Sequence, residues 1–455
     1  MTQVGTMDDT HTTQEDEPAC LTDLANAPSV SVAPKWAHWA SALQNKRESS
    51  AREALGLDVD RPIVMSGHQA IVFHNGILAK LIALDQAAKR AGAQAVWIVP
   101  DQDAVDPGPV RVPIGTRESL HVELVELLPD GTVQPGAAGR SNAAAEIATS
   151  AHESLRPIVE WLDQYAGMES LAQQFAYATI EHACELLEIQ TPRLIFASEL
   201  LGVEVLYELV ETMRDDPALC AQCYNNAAAK HPDAGVRALV IDGEKIELPL
   251  WGCKFGEARV AVDTTNIHSF AKDELLPRGL LMTGLARAYL ADVFIHGTGG
   301  YVYDQISEDW FHDWLGIELQ PMAMVTATQH LELGFSADEA VDVKHAKWAL
   351  HHARHTPAMV GDQARQQRKD DLVSQIGSLE PKDAGRDVLY RQLQALLREY
   401  RDEHNAKIRV FAERADHAIR LARQYELAKD RTWAFVFFGN DALQSLDRAT
   451  RGAMS

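Results

Sequence analysis

Apolar residues along this chain follow alternating rhythms. Short unbroken runs end at glycine or acidic turns, and stretches repeating at threes and fours come after them. "PIVMSG", which begins after Arg61, is the first clear run and predicts a buried strand. From Gly76, "GILAKLIALDQAAKRAGA" sets Ile77, Leu81, Leu84 and Ala88 on one helical face, with Gly92 as its stop. "AQAVWIVP" is a second buried run and ends in the acidic turn "DQDAVDPGP". Strand, helix and strand in this order make a βαβ unit, so an α/β fold with a parallel sheet is expected.

The middle of the chain repeats the theme. "LHVELVELL" alternates as a strand does, 152–188 has helical spacing, and "PRLIFAS" followed by "GVEVLYELVETM" predicts another strand and helix. Around 217–260 the pattern breaks into β-like pieces, so an inserted β-rich piece is expected at about 217–275. "LADVFIHGTGG" predicts a strand and glycine turn, with a helix from about Ser307. From Asp362 to Lys429, Leu389, Leu393, Leu396, Tyr400, Ile408, Phe411, Ala415, Ile419, Ala422 and Tyr425 form a stripe broken at "GSLEPKDAGRD". The stripe predicts a shorter and a longer helix in an antiparallel hairpin with a coiled-coil face, for the core or for a second subunit. "RTWAFVFFGNDALQSL" is expected to dock back as a strand or loop. The domain plan is therefore an acidic disordered tail over 1–30, a core over 31–340, and the helical hairpin with its docking segment over 341–455.

Charge narrows the function. The 455 residues carry a formal charge of -23, which opposes nucleic acid and anionic membrane surfaces as partners. No apolar run approaches the roughly 18 residues that span a bilayer. The polar, acidic start lacks the pattern of a signal peptide. Five cysteines suit a reducing compartment, so a cytoplasmic location is expected.

The chemistry sits in turns after strands, where parallel sheets bind ligands. His68 and Gln69 end the first strand, His74 and Asn75 open the following helix, and Lys80 lies one turn further on. A helix N-terminus with these side chains suits phosphate or carboxylate; a cap and a half-buried ring would explain the same residues. Asp101, Gln102 and Asp103 follow the second strand; the carboxylates could hold ammonium or Mg²⁺ or act as a base, or form a solvated loop. His296 and the glycines Gly297, Gly299 and Gly300 follow another apolar run, and glycine admits a ligand close to the backbone. "CAQC" (Cys220, Cys223) and "HHARH" (His351, His355) have metal-compatible spacing without the remaining ligands of a zinc motif. No metal site is expected.

With these turns aligned, the chain resembles the bacillithiol-biosynthesis cysteine-adding enzyme family, the BshC-like cysteine ligases. Gly67-His68-Gln69 with Lys80 is similar to the family's Gly-Gln-Gln turn and lysine. "VWIVPDQD" is similar to its Glu-Asp-His-Asp strand end, through Asp101 and Asp103. "LLPRG" and "LARAYL" supply arginines at Arg278 and Arg287, and "HGTGGYVYD" resembles its glycine-rich turn with a following tyrosine, Tyr303; the family's acid in that turn has no clear match, Asp304 being close. Histidine at His68 and glutamine at Gln102 depart from the family pattern. The resemblance implies a Rossmann-like core with inserted connecting pieces and a dimerising coiled coil. It implies a ligase joining an amino acid, plausibly cysteine, to a carboxylate acceptor such as glucosaminyl-malate, with ATP and Mg as candidate cofactors. In that reading His68, His74 and Lys80 stabilise phosphate charge, Asp101 and Asp103 bind the amine or a metal, and Arg278 and Arg287 bind the acceptor carboxylate. The alternatives are a non-catalytic binding protein that keeps the fold, and a metal-dependent hydrolase built on His68, His74, Asp101 and Asp103.

Overall fold

The computed structural model describes residues 27–44, 50–115, 119–147, 153–331 and 343–455. The fold is mixed α/β with a mostly parallel sheet. The described residues divide into two compact units, one of 27–44, 50–113, 122–147, 153–331 and 430–455, the other of 114–115, 119–121 and 343–429.

The first unit opens with β1 (Ser29–Ala33), α1 (Trp36–Ala42) and α2 (Ser50–Ala54), none of them signalled by the apolar pattern. The acidic tail expected over 1–30 falls outside the described residues as far as 26, but its end is corrected: Ser29 and Val30 belong to β1. β2 (Ile63–Gly67), α3 (Asn75–Ala91) and β3 (Gln94–Val99) form the expected βαβ unit. β4 (Pro109–Ile114) and β5 (His121–Glu126) make a two-stranded ribbon. α4 (Arg156–Gln164) and α5 (Leu171–Leu186) lead to β6 (Arg193–Phe196), followed by α6 (Glu204–Asp215) and α7 (Pro217–Lys230).

α7 corrects the start of the β-rich piece. Asp216 caps it by accepting from the Leu219 N–H at 2.9 Å, and its small Ala and Cys residues pack against neighbouring elements. The strands come later: β7 (Ile241–Asp242), β8 (Lys245–Gly252), β9 (Val260–Asp263) and β10 (Leu275–Pro277) form a small antiparallel sheet. Then follow α8 (Gly279–Leu285), a π-helical turn at Ala286–Leu290, β11 (Val293–His296), α9 (Thr298–Leu315) and β12 (Met322–Thr328). α9 starts at Thr298 rather than near Ser307, because Gly299 and Gly300 form its first turn instead of a loop.

The main sheet runs β1-β12-β11-β2-β3-β6, parallel except for β1 at the edge. The chain steps outward from β2 to β3 to β6, then returns to lay β11 and β12 on the other side of β2. The order therefore reverses between β2 and β11. Ser66 in β2 donates to the Ile295 carbonyl of β11 at 2.8 Å, which satisfies a hydroxyl otherwise buried at the centre. At the end of β2, a Cβ on Gly67 would lie 2.4 Å from the Ile98 carbonyl oxygen, so the strand can close against β3 only with glycine. α3 packs between the sheet and a C-terminal helix and is buried along most of its length, including the polar Asn75, Lys80 and Asp85.

In the other unit, α10 (Val343–His355), α11 (Gln363–Ser378), α12 (Ala384–Glu403) and α13 (Asn405–Ala428) pack as α11 on α12 and α10 on α13. The expected longer helix is divided at His404, whose Nε2 meets Asp362 at 3.0 Å. Leu393, Leu396, Tyr400 and Ile408 of the predicted stripe are buried in this unit's own core. The final segment docks back as expected, as a loop with a short 3-10 turn over 430–439 bridged from Ala434 to His74, and only its helical end differs. It returns to the first unit and ends in α14 (Asn440–Ala453), which buries Leu443, Leu446 and Thr450 at helical spacing. Among the described residues, no helix is long and apolar enough to cross a membrane.

Candidate functional site

Where a parallel sheet reverses its order, adjacent connections leave toward opposite faces and open a crevice at the strands' carboxyl ends. A cavity of about 510 Å³ lies there. Its wall includes His68, Gln69, His74 and Lys80 from the β2–α3 connection and helix, Asp103 after β3, and His296, Gly297, Gly299, Gly300 and Tyr303 from β11 and α9. Thr283, Thr298, Thr326 and Arg431 complete its polar lining.

The imidazoles and the amine are held in unusual states. His68 packs edge-on to Phe73, and burial with Lys80 nearby pulls its pKa down to about 3. His74 caps α3: its Nδ1 accepts from the Gly76 N–H at 3.0 Å, so Nδ1 carries no proton and Nε2 does. Burial and the Arg431 and Lys80 charges bring it down to about 4. Lys80 donates from Nζ to the Gly67 carbonyl at 2.6 Å, 5.2 Å from the Trp97 ring centroid. Burial brings this amine down to about 7.

Opposite them stands a buried charge cluster. The Asp304 Oδ1 accepts from Thr283 at 2.5 Å and Ser307 at 2.6 Å; its Oδ2 accepts from Arg287 at 2.7 Å and His296 Nε2 at 3.0 Å. Burial works to raise this carboxyl, yet His296, Arg287 and Ser307 hold it well below the usual carboxylate range. An ionised carboxylate only accepts, so His296 carries its proton on Nε2 and presents Nδ1 as an acceptor. Burial also keeps the imidazole pKa low, against the pull of Asp304. A Cβ on Gly300 would lie 2.6 Å from that Nδ1; glycine there gives the ring its space.

Several predicted site residues are turned elsewhere. Asp101 is buried and accepts from the Ser198 N–H at 3.0 Å and hydroxyl at 2.5 Å, away from the cavity. Burial, opposed by Ser198, raises it to about 6. Gln102 donates to the Pro277 carbonyl at 2.9 Å, and Asn75 donates to the Gln329 side chain at 2.8 Å. Neither lines the cavity. Arg278 pairs with Glu247 at 2.8 Å and lies 4.2 Å from the Trp251 ring centroid. Arg287, fully buried, is committed to Asp304, Glu308 and the Gln320 carbonyl. Neither Arg278 nor Arg287 lines the cavity; the Arg287 guanidinium is engaged by protein groups, whereas Arg278 keeps one buried nitrogen, Nη2, without a hydrogen-bond partner. Asp304 does not line the cavity either, but positions His296. The Cys220 and Cys223 thiols are buried, and burial raises both pKa values. Among the described residues, no three His, Cys, Asp or Glu side chains gather as a metal-binding set, and His68, His74, Asp101 and Asp103 do not converge.

Two basic residues at the site escaped the sequence reading. Arg431 enters the wall from beyond α13 and donates to the Thr326 hydroxyl at 2.7 Å. Arg259 holds Asp103 Oδ1 at 3.0 Å while stacking 4.3 Å from the Trp251 centroid; Gln69 donates to Asp103 Oδ2 at 3.1 Å. No local motif marks either arginine. The site thus combines three imidazoles, two basic side chains, the first turns of α3 and α9, and one lining carboxylate, Asp103. Such a surface suits an anion with an amine beside it. No protein-family model matches this chain, and no curated protein matches it.

Proposed function

We propose that the chain is a BshC-like ligase that forms an amide between an amino acid, plausibly cysteine, and a small carboxylate acceptor such as a glucosaminyl-malate. The observation that carries this reading is the cavity at the β2/β11 reversal, with its basic and imidazole wall and one carboxylate. The same reversal supports a Rossmann-like description of the core. Exposed Val388, Tyr390, Val410 and Ile419 on α12 and α13 support a coiled-coil contact with a second copy, hence a homodimer.

The residues present fit ATP phosphates: the first turn of α9 offers backbone N–H groups, and Lys80 and Arg431 offer charge. When bound, the nucleotide supplies a group that turns the acceptor's carboxylate oxygen into a leaving group. Protein-held magnesium does not fit, since both Asp103 oxygens are engaged by Arg259 and Gln69, and no step runs through it. His74 Nε2–H holds the acceptor's anionic group. Tyr303 lies beside the incoming ammonium, and Asp103, held by Arg259 and Gln69, contributes negative charge at the wall rather than a direct bond. His296, fixed by Asp304, takes its proton through Nδ1, and the free amine attacks the activated carbonyl. Preorganised donors around the developing oxyanion supply the rest.

The test is mass spectrometry of a reaction holding Mg-ATP, L-cysteine and glucosaminyl-malate. A condensation product, lost in His296→Ala with the fold retained, is expected. A folded protein that binds these ligands without forming product would favour the binding-protein alternative.

A further inference from the structure

Lys80 stands apart among the polar groups of the cavity wall. It is the lysine of the cavity wall, 4% exposed, and its bonded partner is a backbone carbonyl rather than a carboxylate. The lining acid, Asp103, is spent on Arg259 and Gln69. The side chain runs past Gly297, where a Cβ would lie 3.9 Å from Lys80 Cδ, so Lys80 shares the cavity with the residues that open α9. His68, His74 and His296 surround the cavity as neutral rings that offer it no negative charge. An amine buried with no counter-ion among the described residues is disposed to lose its proton and become a nucleophile. The remaining wall, with Ile77, Ile98, Met282 and Phe294, suits a short alkyl group.

We propose that Lys80 is a covalent carbonyl-binding site whose amine condenses with a 2-oxo acid, the acid's carboxylate resting on the first turn of α9. The Nζ lone pair forms a bond to the carbonyl carbon, the carbonyl π pair moves to oxygen, and the nitrogen's first proton passes to that oxygen to give a carbinolamine. His296 Nδ1 accepts the nitrogen's second proton and returns it to the departing hydroxyl as the C–O bond breaks. One water leaves and an imine remains; nothing is oxidised or reduced. A bound inorganic anion competes for the same turn and restores the ammonium form, so phosphate opposes the reaction.

The experiment treats the full chain with pyruvate and cyanoborohydride at neutral pH and maps labelled lysines by mass spectrometry. Lys80 is expected to label about a hundredfold faster than exposed lysines such as Lys89 and Lys245, because a larger share of its amine is unprotonated. Inorganic phosphate should suppress the Lys80 label and spare the others. Lys80→Arg should lose that label while its melting temperature shows a folded chain. Labelling no faster than at Lys89, or insensitive to phosphate, would overturn the proposal. The proposal does not rest on the ligase reading: a trapped Lys80 without amide product leaves it standing, and amide product with an untrapped Lys80 sinks it alone.

Discussion

Replacing Lys80 by methionine should stabilise the protein at neutral pH and destabilise it in alkali. An ordinary lysine titrates near 10.5, and in the folded cavity this one is brought down to about 7 by burial. That gap corresponds to roughly 5 kcal/mol of charging cost. Between these values the unfolded chain holds a proton that the folded chain has released, so stability rises with pH through the window. At pH 7 about 4 kcal/mol of the cost is present, at pH 9 about 2, and above pH 10.5 almost none. Methionine escapes this cost and keeps most of the stem's packing. It gives up the bond to Gly67 and the contact with Trp97, together worth about 2 kcal/mol. The net expectation is a gain of about 2 kcal/mol at pH 7, cancelled near pH 9 and reversed beyond it. Urea unfolding followed by tryptophan fluorescence suits the measurement, since every tryptophan except Trp348 lies in the unit that holds the cavity. Parallel stability–pH curves for the two proteins would refute the reasoning, because Lys80 would then titrate alike folded and unfolded.

Asp304→Asn should leave Arg287 buried with less compensation, at a cost of about 3 kcal/mol or more in denaturant titration. In a ligation assay it should slow turnover by about a hundredfold or more and move the acid limb of the rate–pH profile to lower pH, as His296 loses its anion. Gly300→Ala should press a methyl group on the His296 ring and cost about 1–3 kcal/mol, visible as a lowered melting temperature. His68 and His74 titrate near 3 and 4 folded against 6.5 unfolded, so the unfolded chain gains protons first and stability falls as pH drops below 6.5. Asp101, raised to about 6, opposes this in part, and His68→Gln should flatten the acid limb of a melting-temperature profile. Arg431→Ala should weaken inorganic phosphate binding about tenfold by calorimetry.

What the sequence determined alone was local. Apolar runs and their glycine or acidic stops marked β2, β3 and β6, the buried periodicity marked α3, and the same logic put His68, His74, Lys80 and His296 at strand ends or on the helix after them. These signals work because periodicity and turn chemistry act over a few residues. The tertiary structure decided which polar groups meet. Asp101 and Asp103 are neighbours in sequence, yet Ser198 claims one and Gln69 with Arg259 claims the other. Arg278 and Arg287 read as anion binders until Glu247, Asp304 and Glu308 were found against them. Arg431 reaches the cavity only because the chain returns to the sheet unit after α13. Burial sets these outcomes: a charge removed from water must find a partner, and that partner comes from wherever in the chain the packing brings one.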